Sequence, residues 1–170
     1  RQSPNITSAG DDPVLVLTKP LGTGVVMAGH MKLAARGAWV TAAADMMARG
    51  NGLAAATLAP HRPMMTDITG FGLARHAMNL AERCGMQGIE IDLAALPLLD
   101  GAKAMLEAGH RSTLHSQNKA AVRIAGVDPI APVADILFDP QTSGGLLAAL
   151  PGAVAPGIIE AFHQSLSLIH

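Results

Sequence analysis

The stretch MMTDITGFGL, Met64–Leu73, places an acidic residue, two hydroxyl side chains and two glycines between two apolar segments. Its first four residues predict a short strand that ends at Asp67, and the loop after it leads into a helix predicted over residues 73–83. The apolar residues of that helix repeat on one face, so this face is expected to pack on a core. A strand, a glycine loop and a helix in succession indicate a layered domain in which helices cover a sheet.

Asp67 lies where a loop of this kind usually presents free N–H groups, and the positive end of a helix dipole, to an anion. A carboxylate in that place repels a phosphate unless a divalent cation lies between the two groups. Magnesium is typically held by one or two carboxylates together with phosphate oxygens and water. The residues therefore favour a magnesium site beside phosphates, and an aspartate that caps a turn beside two flexible glycines is the alternative.

Two further loops combine the same residue types. DPQTSGGLLAAL, residues 139–150, places hydroxyls and paired glycines before an apolar strand, which suits either an anion-binding loop or a tight turn. The candidate anion-binding residues in it are Thr142, Ser143, Gly144 and Gly145. LTKPLGTG, residues 17–24, places Lys19 at the end of the first predicted strand. Lys19 is either a mobile charge that reaches a phosphate or an ordinary solvated lysine.

Apolar strand candidates alternate with helical stretches rich in alanine and methionine along the rest of the chain. The predicted strands are VLVLT (14–18), MMTD (64–67), GIEIDL (88–93), ILFD (136–139) and GLLAAL (145–150). The predicted helices cover residues 27–35, 39–49, 53–58, 73–83, 102–108 and 155–164. This alternation predicts a layered α/β or α+β domain.

The two ends of the chain differ from this pattern. Residues 1–12 are polar and are typical of a linker, so the domain is predicted to cover residues 13–170. The last predicted helix runs into SLSLIH without the turn and strand that would complete an α/β unit. We therefore expect a piece of a longer protein that follows a missing N-terminal domain and is truncated at its C-terminal end.

The composition argues against several classes of protein. A chain of 170 residues that is 49% hydrophobic can bury a sizeable core. A net charge of -1 with 2% aromatic residues gives no basis for binding nucleic acid, and no apolar run reaches the length of a membrane span. The single cysteine, Cys84, allows no internal disulfide. We therefore expect a cytoplasmic protein with neither nucleic-acid nor membrane partners.

Together the three loop motifs resemble the C-terminal domain of selenophosphate synthetase, also called selenide, water dikinase. That family has LTKPLG, then MTD followed by isoleucine or valine and TGFGL-x-x-H, then DPQTSGGLL, and all three occur here in that order. The resemblance covers residues 14–163. It implies the C-terminal domain of the aminoimidazole ribonucleotide synthetase-like superfamily, an α+β fold with a mixed β-sheet covered by helices. It also implies an enzyme that makes selenophosphate, AMP and phosphate from ATP, selenide and water, with Mg²⁺ holding the polyphosphate.

The resemblance extends to individual residues. The metal-binding aspartate of the family's TD-x-TGFG motif falls on Asp67, which agrees with the cation argument. The residues that fit the same loop are Thr66, Thr69, Gly70 and Gly72. His76 matches a family histidine and is interpreted as a packing or hydrogen-bonding residue, while Arg75 stands where many relatives have glycine. Asn51 and Asn118 fit family asparagines, and we assign no chemistry to them.

The resemblance also implies what this chain lacks. The family's glycine-rich segment with its reactive Cys or selenocysteine, its catalytic lysine and its other metal-binding aspartates belong to an N-terminal part. No catalytic residue is therefore expected in this chain, which should be inactive alone and act with its own N-terminal domain, ATP and selenide, in a homodimer. The alternatives are another ATP-using member of the superfamily, or a non-catalytic docking or oligomerisation module with the same fold. The upstream sequence would distinguish these possibilities.

Overall fold

The computed structural model describes residues 12–126 and 131–167. Within these ranges the strands are β1 (Pro13–Leu17), β2 (Met64–Asp67) and β3 (Leu146–Pro151). The α-helices are α1 (Thr23–Met31), α2 (Gly37–Ala48), α3 (Gly52–Leu58), α4 (Gly72–Arg83), α5 (Ala102–Glu107), α6 (His115–Ala120) and α7 (Ala155–Ser167). Short 3₁₀ helices cover Ala59–His61 and Pro132–Phe138, and the second is called the 3₁₀ helix below. Every helix in this part of the chain falls short of the length and apolar character that a membrane span requires.

The three strands form one antiparallel sheet in the order β1-β3-β2, so β3 is the central strand. Val16 of β1 lies opposite Ala148, and Thr66 of β2 lies opposite Leu147. An isolated parallel bridge joins Leu21 to Leu98 outside these strands. The predicted α+β class, with a sheet covered by helices, is confirmed, and the strand pairs of the described residues are antiparallel rather than mixed.

Helices cover both faces of the sheet because alternate residues of the central strand point to opposite sides. Leu147 and Ala149 face the larger core, where they pack with residues of α1, α4, α5 and the 3₁₀ helix. Ala148 and Leu150 face a smaller core formed with Val16 and with residues of α3 and α7. The central strand β3 is therefore held between two layers of helices.

The strand predicted over ILFD is wrong, because residues 136–138 belong to the 3₁₀ helix and Asp139 follows it. Ile136, Leu137 and Phe138 are all buried, and this helix packs against α4 and α5 rather than pairing with a strand. A short apolar run does not distinguish a buried helical turn from a buried strand. Pro132, at the start of this helix, is the local signal that would have favoured a helical turn.

The strand predicted over GIEIDL, residues 88–93, is also wrong, since these residues pair with no strand in the described part of the chain. Ile89 and Ile91 pack against the larger core, while Glu90 and Asp92 are exposed. The alternation that favoured a strand is therefore present. A groove of about 970 Å³ is lined by both this segment and β1. Alternation of apolar and polar residues thus indicates that one face of a segment is buried, whereas a strand also needs a second strand with which its backbone can pair.

Strand β1 lies at the edge of the sheet, and its outer side has no partner among the described residues. Thr18 N donates to Leu146 O at 3.0 Å, which continues the pairing of β1 with β3. Backbone groups alternate in direction along a strand, so those of Val14 and Val16 point toward β3. Those of Leu15 and Leu17 point away from it, which leaves one row of N–H and C=O groups unpaired.

Most predicted helices agree closely with the structure, and the exceptions have local causes. The predictions over 39–49, 53–58, 73–83 and 102–108 correspond to α2, α3, α4 and α5, and α7 begins at the predicted residue but continues to Ser167. Helix α1 begins at Thr23 rather than at residue 27 and ends at Met31. Helix α6 was missed because HSQNKA has no apolar period. The predicted linker lies outside the described residues except for Asp12.

Candidate functional site

The three loop motifs meet at the N-terminal end of β3. They are named here the KPLGTG loop (residues 19–24), the TGFG loop (69–72) and the DPQTSGG loop (139–145). Ile68 N donates to Gly145 O at 2.9 Å, and Gln141 N donates to Thr69 O at 3.1 Å. The KPLGTG loop is joined to the DPQTSGG loop through Thr23, whose hydroxyl accepts from Thr142 N at 3.0 Å. Segments far apart in sequence are therefore hydrogen-bonded into one unit.

Gln141 is the centre of this unit and was not predicted as a site residue. Its side chain is only 4% exposed. Oε1 accepts from Gly22 N at 3.0 Å, from Thr23 N at 3.3 Å and from Thr23 Oγ1 at 3.2 Å. Nε2 donates to the backbone and carboxyl oxygens of Asp139 at 2.8 and 3.0 Å. Gln141 thus satisfies the N–H groups of Gly22 and Thr23, and Asp139 accepts from those of Gly24 and Val25, so the first turn of α1 is capped earlier than predicted.

Two glycines of the motifs lie where no larger residue fits. A Cβ on Gly144 would meet Ile68 O at 2.2 Å. Gly72 has φ +76°, and a Cβ on it would meet Leu137 O and Phe138 C at 2.9 Å. These glycines are therefore required by the close approach of the loops to each other and to the 3₁₀ helix, whatever else they bind.

Asp67 ends β2 opposite Leu146, and its side chain is exposed. No hydrogen bond or ion pair engages its carboxylate within residues 12–126 and 131–167. Thr66 Oγ1 donates instead to the backbone oxygen of Asp67 at 3.2 Å. The carboxylate is therefore open to solvent beside the three loops, and it does not cap the turn that follows it in this part of the chain.

His76 takes the role in the TGFG loop that a capping aspartate would have. Its Nε2 accepts from Thr69 N at 3.1 Å and also lies 3.1 Å from Thr69 Oγ1. Burial lowers the pKa of His76, although the nearby Asp67 charge acts in the opposite direction. A lowered pKa favours the neutral ring, whose unprotonated nitrogen can accept a hydrogen bond. His76 is a hydrogen-bonding residue, as the sequence predicted.

Asn118 holds the other side of the TGFG loop. Its Nδ2 donates to Gly70 O at 2.8 Å and to Phe138 O at 3.0 Å. The neighbouring Asp135 accepts from Arg111 at 2.7 Å and from Lys119 at 2.8 Å. Burial raises the pKa of Asp135, but these two donors outweigh it and the net pKa is lowered. A partly buried ionic cluster therefore fixes α6, and with it Asn118, against the 3₁₀ helix.

Lys19 is buried rather than mobile at the surface, with 8% of its area exposed. Its Nζ donates to Arg49 O and, at 2.9 Å, to Ser143 O. Burial lowers the pKa of Lys19, and the Arg49 charge adds to this effect. Asn51 lies beside it and donates from Nδ2 to Gly144 O at 2.9 Å. The solvated-lysine alternative is therefore wrong, and a role of Lys19 toward phosphate stays a prediction.

Asp139 places a carboxyl group at the start of α1, where it is only 1% exposed. Burial raises the pKa of Asp139 to about 7, against the opposing effect of hydrogen bonds from Val25, Gln141 and Gly24. Its ordinary pKa is 3.8. The native state therefore retains, near pH 6, a proton that the unfolded chain has released.

We expect this group to make the chain less stable as the pH rises from about 4 to about 7, by up to about 1.4 kcal/mol per pH unit. The sign follows because the native state binds more protons than the unfolded state in that interval. Urea unfolding at pH 5, 6 and 7 measures the slope. Asp139→Asn should remove this slope. Subtracting the slope of the variant from that of the wild type cancels the opposite contributions of His76 and His115, whose pKa values are lowered by burial. An unchanged slope in the variant would contradict the assignment.

The donor set fits magnesium only in part. Among the described residues no three His, Cys, Asp or Glu side chains come together as a complete metal site. Asp67 supplies one open carboxylate, and magnesium commonly takes one or two carboxylates with phosphate oxygens and water as its other ligands. Asp67 therefore suits a shared site in which other groups complete the coordination.

The structure brings most predicted site residues together. The residues near Asp67 or in loops bonded to it are Thr66, Thr69, Gly70, Gly72, Gly144 and Gly145. Thr142 and Ser143 are exposed at the tip of the DPQTSGG loop. The roles that sequence analysis missed belong to Gln141, Asn51 and Asn118, which are amides that bind backbone groups of distant loops.

The chain is similar to several proteins of known name. It is 35% identical to the selenide, water dikinase of Bdellovibrio bacteriovorus over 154 residues, which cover 86% of this chain and 43% of that protein. It is 38% identical to that of Burkholderia pseudomallei over 162 residues, which cover 92% of this chain and 44% of the other. With that of Pseudomonas straminea the identity is 35% over 171 residues, covering 97% and 47%. No protein-family model matches the chain.

The chain spans less than half the length of each of these relatives. The similarity nevertheless extends over most of this chain, and the three motifs that carried the resemblance form one hydrogen-bonded unit in the structure. On these grounds the chain belongs to the selenide, water dikinase family.

Proposed function

We propose that this chain is the C-terminal part of an ATP-dependent selenophosphate synthetase and supplies one carboxylate, Asp67, to its magnesium–polyphosphate site. The observation that carries the proposal is the position of Asp67. Its carboxylate is exposed and unpaired in the described residues, beside three glycine-containing loops. A carboxylate kept free of protein donors is available to a cation, whereas an aspartate that capped the turn would accept a hydrogen bond from the backbone that follows it.

The chain's own residues hold this carboxylate in place. Asp67 ends a paired strand, and Ile68 N is bonded to Gly145 O directly after it. The loop that follows is fixed by His76 at Thr69 and by Asn118 at Gly70. When bound there, Mg²⁺ would neutralise the charge of the phosphates. The exposed hydroxyls of Thr142 and Ser143 are the candidate donors to phosphate oxygens from the DPQTSGG loop.

The proposal includes partners outside these 170 residues. ATP and selenide are the proposed substrates of the full-length protein, and its own N-terminal domain supplies the remaining ligands and the catalytic groups. We place that protein in the cytoplasm as a homodimer. One carboxylate binds Mg²⁺ weakly, because the ion needs about six oxygen ligands and loses water reluctantly.

The experiment that tests this function measures selenide-dependent AMP formation by the full-length protein and by the 170-residue chain. The full-length protein should form AMP and selenophosphate, detected by phosphorus NMR, only when Mg²⁺ and selenide are present. The isolated chain should form no AMP above background, since most ligands lie outside it. A full-length protein without this activity would overturn the proposal. AMP formation by the chain alone would contradict the part of it that assigns the catalytic groups to the N-terminal domain.

A further inference from the structure

We propose that Lys19 and Asn51 are positioning residues, which clamp the DPQTSGG loop so that two successive N–H groups face the phosphates. The inference rests on the proposed function and deepens it. It gives Lys19 a role different from the phosphate contact that was one of its two sequence-based alternatives, because the lysine acts through the loop instead of touching phosphate.

The clamp consists of two hydrogen bonds to consecutive carbonyl groups. Lys19 Nζ donates to Ser143 O at 2.9 Å, and Asn51 Nδ2 donates to Gly144 O at 2.9 Å. The described chain has no cis peptide bonds. In a trans peptide the N–H points opposite to the carbonyl of the preceding residue. The N–H groups of Gly144 and Gly145 therefore point away from Lys19 and Asn51.

These two N–H groups are free donors in the described part of the chain. Neither the Gly144 nor the Gly145 N–H donates a hydrogen bond there, although both residues are buried. Buried N–H groups without an acceptor are rare in folded proteins. Ser143 has φ +49°, and a left-handed residue of this kind is one half of the αR–αL pair that forms an anion-binding nest. An anionic oxygen is the acceptor that suits such donors.

Lys19, one of the two clamp residues, is buried and is also bonded to a second part of the chain. Lys19 Nζ also donates to Arg49 O, at the C-terminal end of α2, so the lysine ties the loop to the α2–α3 connection that carries Asn51. A buried ammonium group persists only where acceptors replace water. Both of its acceptors are backbone carbonyls, and no carboxylate among the described residues neutralises its charge. That charge adds to the positive potential of the loop.

The test compares Lys19→Met and Asn51→Ala in the full-length protein, with Lys32→Met as a control at an exposed lysine. Calorimetric titration measures the affinity for Mg·ATP without selenide, and NMR follows the Gly144 and Gly145 amide shifts. Each clamp variant should weaken binding about tenfold and abolish the ATP-induced shifts of both amides. The double variant should lose little more, because both residues act on one loop. The control should bind as the wild type does.

The outcomes separate the clamp from a direct contact. If Lys19→Met weakens binding while Asn51→Ala does not, and the amide shifts persist, Lys19 touches phosphate and the clamp is wrong. If both variants melt earlier but bind Mg·ATP normally, the hydrogen bonds are only structural and the inference fails. Should Lys19→Met not fold, Asn51→Ala decides alone by the same two readouts. A wild-type protein that does not bind Mg·ATP would overturn the proposed function together with the clamp.

Discussion

Asp67→Asn in the full-length protein is expected to lower Mg²⁺-dependent turnover by about 100-fold or more, which corresponds to about 2.7 kcal/mol. Asparagine keeps the size of the side chain but removes the charge that attracts the cation. The exposed carboxylate has no protein partner in the described residues, so thermal stability should change by no more than about 0.5 kcal/mol. Turnover at limiting and saturating Mg²⁺, together with a melting curve, measures both effects.

Asp45→Asn is the matched control, because Asp45 is an exposed carboxylate on α2 and belongs to none of the three loops. It should leave turnover and its Mg²⁺ dependence unchanged. The opposite result for Asp67, a clearly lower melting temperature with unaltered turnover, would show that its carboxylate stabilises the turn rather than the cation. The two variants differ only in where one negative charge is lost.

Gly72→Ala is expected to lower the free energy of unfolding of the chain by about 3 kcal/mol or more. A left-handed backbone costs an alanine about 1–2 kcal/mol, and overpacking adds about 1–3 kcal/mol. Both terms apply, since Gly72 has φ +76° and its Cβ would meet Leu137 O at 2.9 Å. Unfolding in urea measures the difference from the wild type.

Gly70→Ala is the internal comparison within the same loop. The nearest atom to a Cβ on Gly70 is Leu114 Cδ1 at 3.8 Å, which is ordinary contact. This variant should therefore stay within about 0.5 kcal/mol of the wild type. Equal losses at the two glycines would mean that loop flexibility, rather than the contact of Gly72 with the 3₁₀ helix, determines stability here.

The sequence predicted those elements whose pattern is local. MMTD and the helix after it follow from a strand, a glycine loop and an amphipathic period, and β2 and α4 lie there. GIEIDL has the alternation of a strand but pairs with no strand among the described residues, and nothing in its six residues reports which segment lies beside them. ILFD has too few residues to establish a period. The errors therefore lie where assignment depends on partners distant in sequence.

The candidate site shows the same contrast between features that depend on local residues and features that depend on residues distant in sequence. Asp67 and its glycine loops could be selected as candidates from the sequence, because residue types in one short segment suggest the chemistry, and the magnesium role of Asp67 stays a prediction. The amides that hold those loops could not be selected in this way, since Gln141 bonds residues of a loop 118 and 119 positions away and Asn51 bonds one 93 positions away. The hydrogen-bond partner of a glutamine or asparagine side chain is defined only after folding. Lys19 looked exposed for the same reason, as both of its carbonyl partners belong to other loops.

The unpaired edge of β1 links the fold of this chain to its solubility. Exposed strand edges act as templates on which other chains add strands, and natural proteins usually protect them with charged side chains or proline. On β1 the only such residue is Pro13, at its start, while residues 14–17 are Val, Leu, Val and Leu. We therefore expect aggregation of this chain to depend more on this row of backbone groups, which has no partner among the described residues, than on its net charge of -1.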